Sequence, residues 1–188
     1  MPSRSVKRVY HLDANRINAR QRQACVNQLE TWHANGVIFL EMAYIAYVEA
    51  GYDSPERSAK ADDYTWVSTN DSIGCEVEYR REIEQIVFPD GARDQSELND
   101  VWILFAAQRA GATLVTRDGD SRTQPGGILG NAKALAEIGI IVLSDREALE
   151  EIKLLLKKRD QEIIDISDRI GQATPEWVGK DGPNEIKI

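Results

Sequence analysis

Residues 98–120, LNDVWILFAAQRAGATLVTRDGD, constrain the fold more than any other stretch. Leu98, Val101, Trp102, Phe105 and Arg109 recur at helical spacing, and Asp94 with Glu97 resembles a capping box before them, so a helix is predicted over 97–110. Gly111 stops it. Residues 112–116 then read as a short buried strand, and the chain leaves that strand through Asp118 and Asp120. The pattern recurs. A helix with Cys25, Val26, Leu29 and Trp32 on one face ends at Gly36, and Val37, Ile38, Phe39 and Leu40 follow as a wholly apolar run. Such runs belong to strands buried on both faces. Strands alternating with helices at short spacing build a parallel sheet with helices on both sides. The expected fold is therefore α/β, three layers deep, around a mostly parallel five-stranded sheet with strands at 6–12, 37–40, 83–88, 112–116 and 139–143.

In such sheets ligands bind beyond the carboxyl ends of the strands, where the strand order reverses. Asp13 and Asp118 both follow strand ends, and Asp100 is expected in the first turn of the central helix. Carboxylates gathered there repel one another and raise each other's pKa unless a cation lies between them. Oxygen ligands of this kind suit Mg²⁺ or Mn²⁺, whose chemistry is the hydrolysis of phosphate esters. Taken singly, Asp13 can cap a loop, Asp100 can offset the helix dipole, and Asp118 with Gly119 can form a plain turn. Taken in this order, they point to a shared metal site.

Charge and composition bound the alternatives. A net charge of −8 argues against indiscriminate nucleic-acid binding. However, Arg4, Lys7, Arg8, Arg16, Arg20 and Arg22 crowd the first 22 residues, where Asp13 is the only acid, and a basic face beside an acidic pocket suits a phosphodiester. Two cysteines, Cys25 and Cys75, make no disulfide framework, and no Cys or His cluster has zinc spacing. The N-terminus has neither the apolar run of a signal peptide nor that of a membrane span, so a cytoplasmic setting is expected. The loop QPGGILG (124–130) lacks the G-K-[ST] ending of a nucleotide-binding loop. His11 and His33 are expected to be packed or on the surface, and Trp32, Trp66 and Trp102 to lie in cores.

The residues Leu12-Asp13-Ala14-Asn15, the run from Asp100 through Ala107, and Gly111 followed by Leu114-Val115-Thr116-Arg117-Asp118-Gly119-Asp120 resemble the ordered motifs of PIN-domain nucleases, the family that includes the VapC-type toxins. The resemblance covers residues 6–143. It implies a Mg²⁺- or Mn²⁺-dependent endoribonuclease in which Asp13, Asp100 and Asp118 carry the metal and Asp120 assists. It also implies that Asn15 and Thr116 hold those carboxylates by hydrogen bonds. The family's remaining acid is a glutamate in the helix after the second strand. Glu49, about two turns in and followed by Ala50, matches better than Glu41, which directly follows Leu40. Many small relatives are toxins held by an antitoxin-like protein partner, so an RNA substrate, such a partner and a homodimer are expectations. A catalytically weak or inactive PIN-like binding or scaffold module is the alternative. A phosphatase is disfavoured because Asp13-Ala14-Asn15 lacks a second Asp.

The nuclease-like unit is expected over 1–145. From Ser144 a helical pattern with Leu149, Ile152, Leu156, Ile163, Ile166 and Ile170 at three- and four-residue steps predicts a helical extension over 146–170. It folds onto its own domain or pairs with another subunit. The Gly- and Pro-containing stretch 171–188 is expected to be a flexible tail.

Overall fold

A computed structural model describes residues 3–68, 74–119 and 126–182. The chain runs β1 Val9–Leu12, a 3₁₀ turn Ala14–Arg16, α1 Ala24–Ala34, β2 Phe39–Ala43, α2 Tyr44–Asp53, α3 Pro55–Ala61 and β3 Thr65–Val67. It continues through α4 Gly74–Val87, α5 Gln95–Arg109, β4 Thr113–Val115, α6 Gly127–Gly130, α7 Ala132–Glu137, β5 Val142–Leu143 and α8 Asp145–Ile170. The strands form one sheet in the order β3-β2-β1-β4-β5, and every pairing is parallel. The expected α/β architecture, with its long C-terminal helix, is the one observed.

Tyr10, Leu12, Leu40, Met42, Leu114 and Val115 are all fully buried, as strands covered by helices require. Gly36 and Gly111, at φ of 68° and 62°, make the left-handed turns that carry the chain from a helix into a strand. From β1 the chain builds outward through β2 and β3. It then crosses back to place β4 on the other side of β1, so the strand order reverses between β1 and β4. The Asp13 amide donates to the Val115 carbonyl at 3.0 Å, which extends the β1–β4 ladder to the start of the reversal.

One expected strand is not a strand. Residues 83–88 lie mostly within α4, and the edge strand is Thr65–Val67. Ile83 and Val87 are buried and Tyr79 packs against the core, a four-residue spacing that marks one helix face. The short run IVF, between Gln85 and Pro89, fits either period when read alone. The end of the QPGGILG stretch is itself a short helix, α6, ahead of α7.

Helix α8 starts on a reciprocal capping box between Ser144 and Glu147 and ends at Gly171 in the left-handed region. Leu149, Ile152, Leu156 and Ile163 are buried, whereas Ile166 and Ile170 are exposed. The helix thus lies on its own sheet and on α1 for most of its length. The flexible-tail expectation covers 171–188. Of this stretch, residues 172–182 run back to the protein, and 183–188 fall outside the described residues. Asp181 is buried between Arg4 and Arg159, its carbonyl accepts the Trp32 indole N–H at 2.7 Å, and Arg159 lies over the Trp177 ring.

Candidate active site

Asp13 ends β1 and is almost wholly buried. Its Oδ2 accepts from Asn15 Nδ2 at 2.6 Å and from the Thr116 hydroxyl, and backbone N–H groups of Ala14 and Asn15 add to this. Thr116, fully buried at the end of β4, also accepts from Asn15 Nδ2 at 3.1 Å and from the Asp118 N–H at 3.0 Å. Asn15 Oδ1 accepts the Arg117 N–H at 3.1 Å. Asn15 and Thr116 therefore tie the ends of the two central strands together and fix one carboxylate between them.

Asp118 is held from the opposite side. Its Oδ2 accepts the Ile128 N–H at 2.7 Å and its carbonyl accepts the Leu129 N–H at 3.0 Å. The glycines of the loop permit this approach. A Cβ on Gly127 would fall 2.4 Å from Asp118 Oδ2, and one on Gly119 would fall 2.1 Å from the Gly126 carbonyl oxygen. Residues 126–130 of the QPGGILG loop thus act as a backbone clamp on Asp118. Gln124, Pro125 and Asp120 lie outside the described residues.

Helix α5 begins at Gln95, so Asp100 stands in the second turn rather than the first. Offsetting the helix dipole, an effect confined to the first turn, does not explain it. The Asp94 side chain does cap α5, accepting the Glu97 N–H at 3.0 Å, while Glu97 itself reaches the Arg93 N–H. Glu49, half-buried on α2, accepts from Asn99 Nδ2 at 2.6 Å, and Gln95 holds Asn99 in turn at 2.9 Å. Asn99 was not singled out by sequence; its only signal is its place beside Asp100.

Asp13, Glu49, Asp100 and Asp118, carried by four different elements, line one crevice of about 890 Å³. Asn15, Arg57, Tyr52 and Phe88 complete its walls. Burial pushes the Asp100 carboxyl up to about 8, and the charges of Asp13, Asp118 and Glu49 add to the shift. The Asp13 carboxyl is raised by burial and by Asp118, against the hydrogen bond from Thr116. Glu49 is raised by burial, with the Asn99 bond opposing it and the Asp13 charge adding to it.

Glu41 does not join them. It stands on β2 beside His11, its Oε2 3.5 Å from His11 Nε2. Burial lowers His11 to about 4, so the ring is neutral near pH 7, and neither of its nitrogens makes a hydrogen bond. The contact is a loose one, not an ion pair. His33 accepts the Leu40 N–H at 3.2 Å and packs locally. Trp32 lies in the core, and Trp102 is partly buried under the Arg80 guanidinium. Trp66, expected in a core, is 48% exposed on the edge strand and packs on Tyr44.

The all-oxygen donor set suits a hard divalent cation. As the side chains stand, among the described residues no three of His, Cys, Asp and Glu are close enough to share one ion. The Ile128 bond to the Asp118 carboxylate is one visible reason. The raised pKa values of Asp13 and Asp100 come first from burial and then from neighbouring carboxylates, and a bound cation would oppose both.

No family model matches the chain, and no curated protein matches it. Among solved structures, it is similar to VapBC2 from Rickettsia felis bound to a DNA fragment from their promoter, at 17% identity and a TM-score of 0.45, over 72% of this chain and 98% of that one. It is also similar to FitAB bound to an IR36 DNA fragment, at 13% identity and a TM-score of 0.43, over 73% and 94%. A likeness of this degree leaves function to be argued from the site itself. Among the described residues, no helix is long and apolar enough to cross a membrane.

Proposed function

We propose that this chain is a divalent-metal-dependent endoribonuclease of the PIN type. The observation that carries the proposal is the crevice at the strand-order reversal, which Asp13, Glu49, Asp100 and Asp118 line from four elements. Asp13, Asp100 and Asp118 would hold Mg²⁺ or Mn²⁺, with Glu49 as the fourth acid and Asp120 assisting. When bound, that ion supplies Lewis-acid stabilisation to a phosphodiester undergoing hydrolysis. The chain's own work is positioning. Thr116 and Asn15 fix Asp13, the Ile128 N–H orients Asp118, and Asn99 orients Glu49. The raised pKa of Asp100, about 8, favours its protonated form near neutral pH, and a bound cation would lower it. The proposal extends to a cytoplasmic toxin restrained by an antitoxin-like protein, and to a homodimer.

The test is cleavage of labelled RNA by the purified chain with Mg²⁺ or Mn²⁺. Asp118→Asn is expected to abolish cleavage with the fold retained. Cleavage that survives EDTA, or an unaffected variant, overturns the mechanism. The engagement of the Asp118 carboxylate by Ile128 favours the second reading, a PIN-like binding module with lost catalysis. A calorimetric titration that detects no Mn²⁺ binding would decide for it.

A further inference from the structure

The basic residues of the N-terminal segment do not form a single face. Arg4 pairs with Asp181, and Arg16 pairs with Asp145 at 3.3 Å. Arg20 and Arg22 are exposed, and among the described residues neither pairs with a carboxylate within ion-pair distance. They line a second hollow of about 360 Å³ together with Arg57, Glu56, Asn18 and Gln23. Arg57 lines this hollow and the acidic crevice alike, and its guanidinium donates to the Ala14 carbonyl, one residue from Asp13. The hollow and the crevice therefore share a wall.

The turn bearing Arg20 and Arg22 is tightly built. Asn18 is buried at its centre. Its Oδ1 accepts the N–H groups of Arg22 and Gln23 at 2.9 and 3.2 Å, and its Nδ2 donates to the Gln23 carbonyl and to Asn27. Gln21 takes a left-handed φ of 52° to close the turn. The two guanidinium groups thus rise from a backbone whose shape is fixed in advance, which lowers the ordering cost of binding.

We propose that this hollow is a phosphate subsite: Arg20 and Arg22 hold the backbone phosphate next to the one placed at the acidic crevice, with Arg57 in the wall between them. The inference rests on the nuclease reading of that crevice. Guanidinium groups match phosphate with forked, charge-assisted hydrogen bonds. Arg20 and Arg22 against Glu56 leave the hollow positive on a chain whose net charge of −8 otherwise repels a polyanion. The shared Arg57 wall favours a nucleic acid over an acidic protein segment, because a phosphodiester chain can occupy both compartments with successive phosphates.

The experiment measures fluorescence anisotropy of a labelled single-stranded 12-nucleotide RNA on the Asp118→Asn chain, in EDTA and in Mg²⁺, with and without Arg20→Gln plus Arg22→Gln. Both arginines are exposed, so the double substitution should leave the circular dichroism spectrum and melting temperature unchanged. Binding is expected to weaken about tenfold, and the slope of log affinity against log salt to fall by about 1 to 1.5 for two lost phosphate contacts. Unchanged affinity and slope overturn the subsite, as does a parent chain that binds no RNA. Equally, loss of binding to an oligoglutamate while RNA binding persists assigns the hollow to an acidic protein and overturns it. Cleavage assays separate the two claims. A wild-type chain that cleaves RNA with the same KM after both substitutions keeps the nuclease and loses the subsite. Arginine-dependent RNA binding with no cleavage under any metal keeps the subsite and loses the nuclease.

Discussion

Two parts of the molecule bury aspartates in opposite ways. At Asp181, Arg4 and Arg159 surround the carboxylate, and Trp32 and Gly179 with Asp160 tie the adjoining backbone down. At the crevice, Asp13 is buried and Asp100 partly buried near other acids, with hydrogen-bond donors for Asp13 but no cation paired to either among the described residues. The first arrangement satisfies its charge within the chain. The second holds its carboxyl groups by hydrogen bonds and raised pKa values rather than by a paired cation. That contrast supports the crevice as the proposed ligand site.

Substitutions should separate the two regions sharply. The largest effect is expected on activity: Asp100→Asn or Asp118→Asn should lower RNA cleavage by more than the roughly 100-fold typical of a supporting residue. Next comes a reversal of sign in stability. Asp181→Asn should destabilise the protein by about 3 kcal/mol, because it leaves two arginines facing a neutral group. Asp100→Asn should instead stabilise the metal-free protein, by about 1 kcal/mol and several degrees in Tm. Equal destabilisation by both in thermal melts would erase the comparison.

The pH dependence follows from the same contrast. The folded-state pKa of Asp100, about 8, lies above its unfolded value, so the unfolded chain ionises first as pH rises. Metal-free stability should therefore decline from about pH 4 to pH 8 and level off above, and Asp100→Asn should flatten the decline. The apparent affinity for Mn²⁺, read by calorimetry, should rise over pH 6 to 8 and then plateau, with proton release on binding. A smaller loss of cleavage, about 10- to 100-fold, is expected for Thr116→Val, which removes one of the two side-chain hydrogen bonds to Asp13 Oδ2. The smallest effect should be that of Glu41→Gln, which leaves cleavage unchanged where Glu49→Gln reduces it.

Much of this was legible in the chain because the signals were local. Glycine stops after helices, followed by short apolar runs, located β2 and β4, and the short run ending at Asp13 located β1. The acids shared one sheet edge for a topological reason that does not depend on their neighbours. Residues 83–88 were misread because a short apolar run fits a helix face as well as a strand, and only the positions of Tyr79, Ile83 and Val87 on the core decide it. Asn99 was missed because its partner, Glu49, is fifty residues away. Trp66 was misplaced because edge position is a property of the sheet, not of the residue. The choice between Glu49 and Glu41 turned on register: Glu41 pairs across from His11 within the sheet, whereas Glu49 is carried past the strand ends by α2.

The glycine clamp bears on how tolerance to mutation should be interpreted. Gly119 and Gly127, at φ of 88° and 53°, leave no room for a Cβ because backbone and the Asp118 carboxylate already occupy it. A saturation screen for activity should find both positions as intolerant as the aspartates, although a glycine has no side chain with which to do chemistry. Intolerance in this loop would then record a space requirement. A residue that must stay absent can be as restrictive, in such a map, as one that must be present.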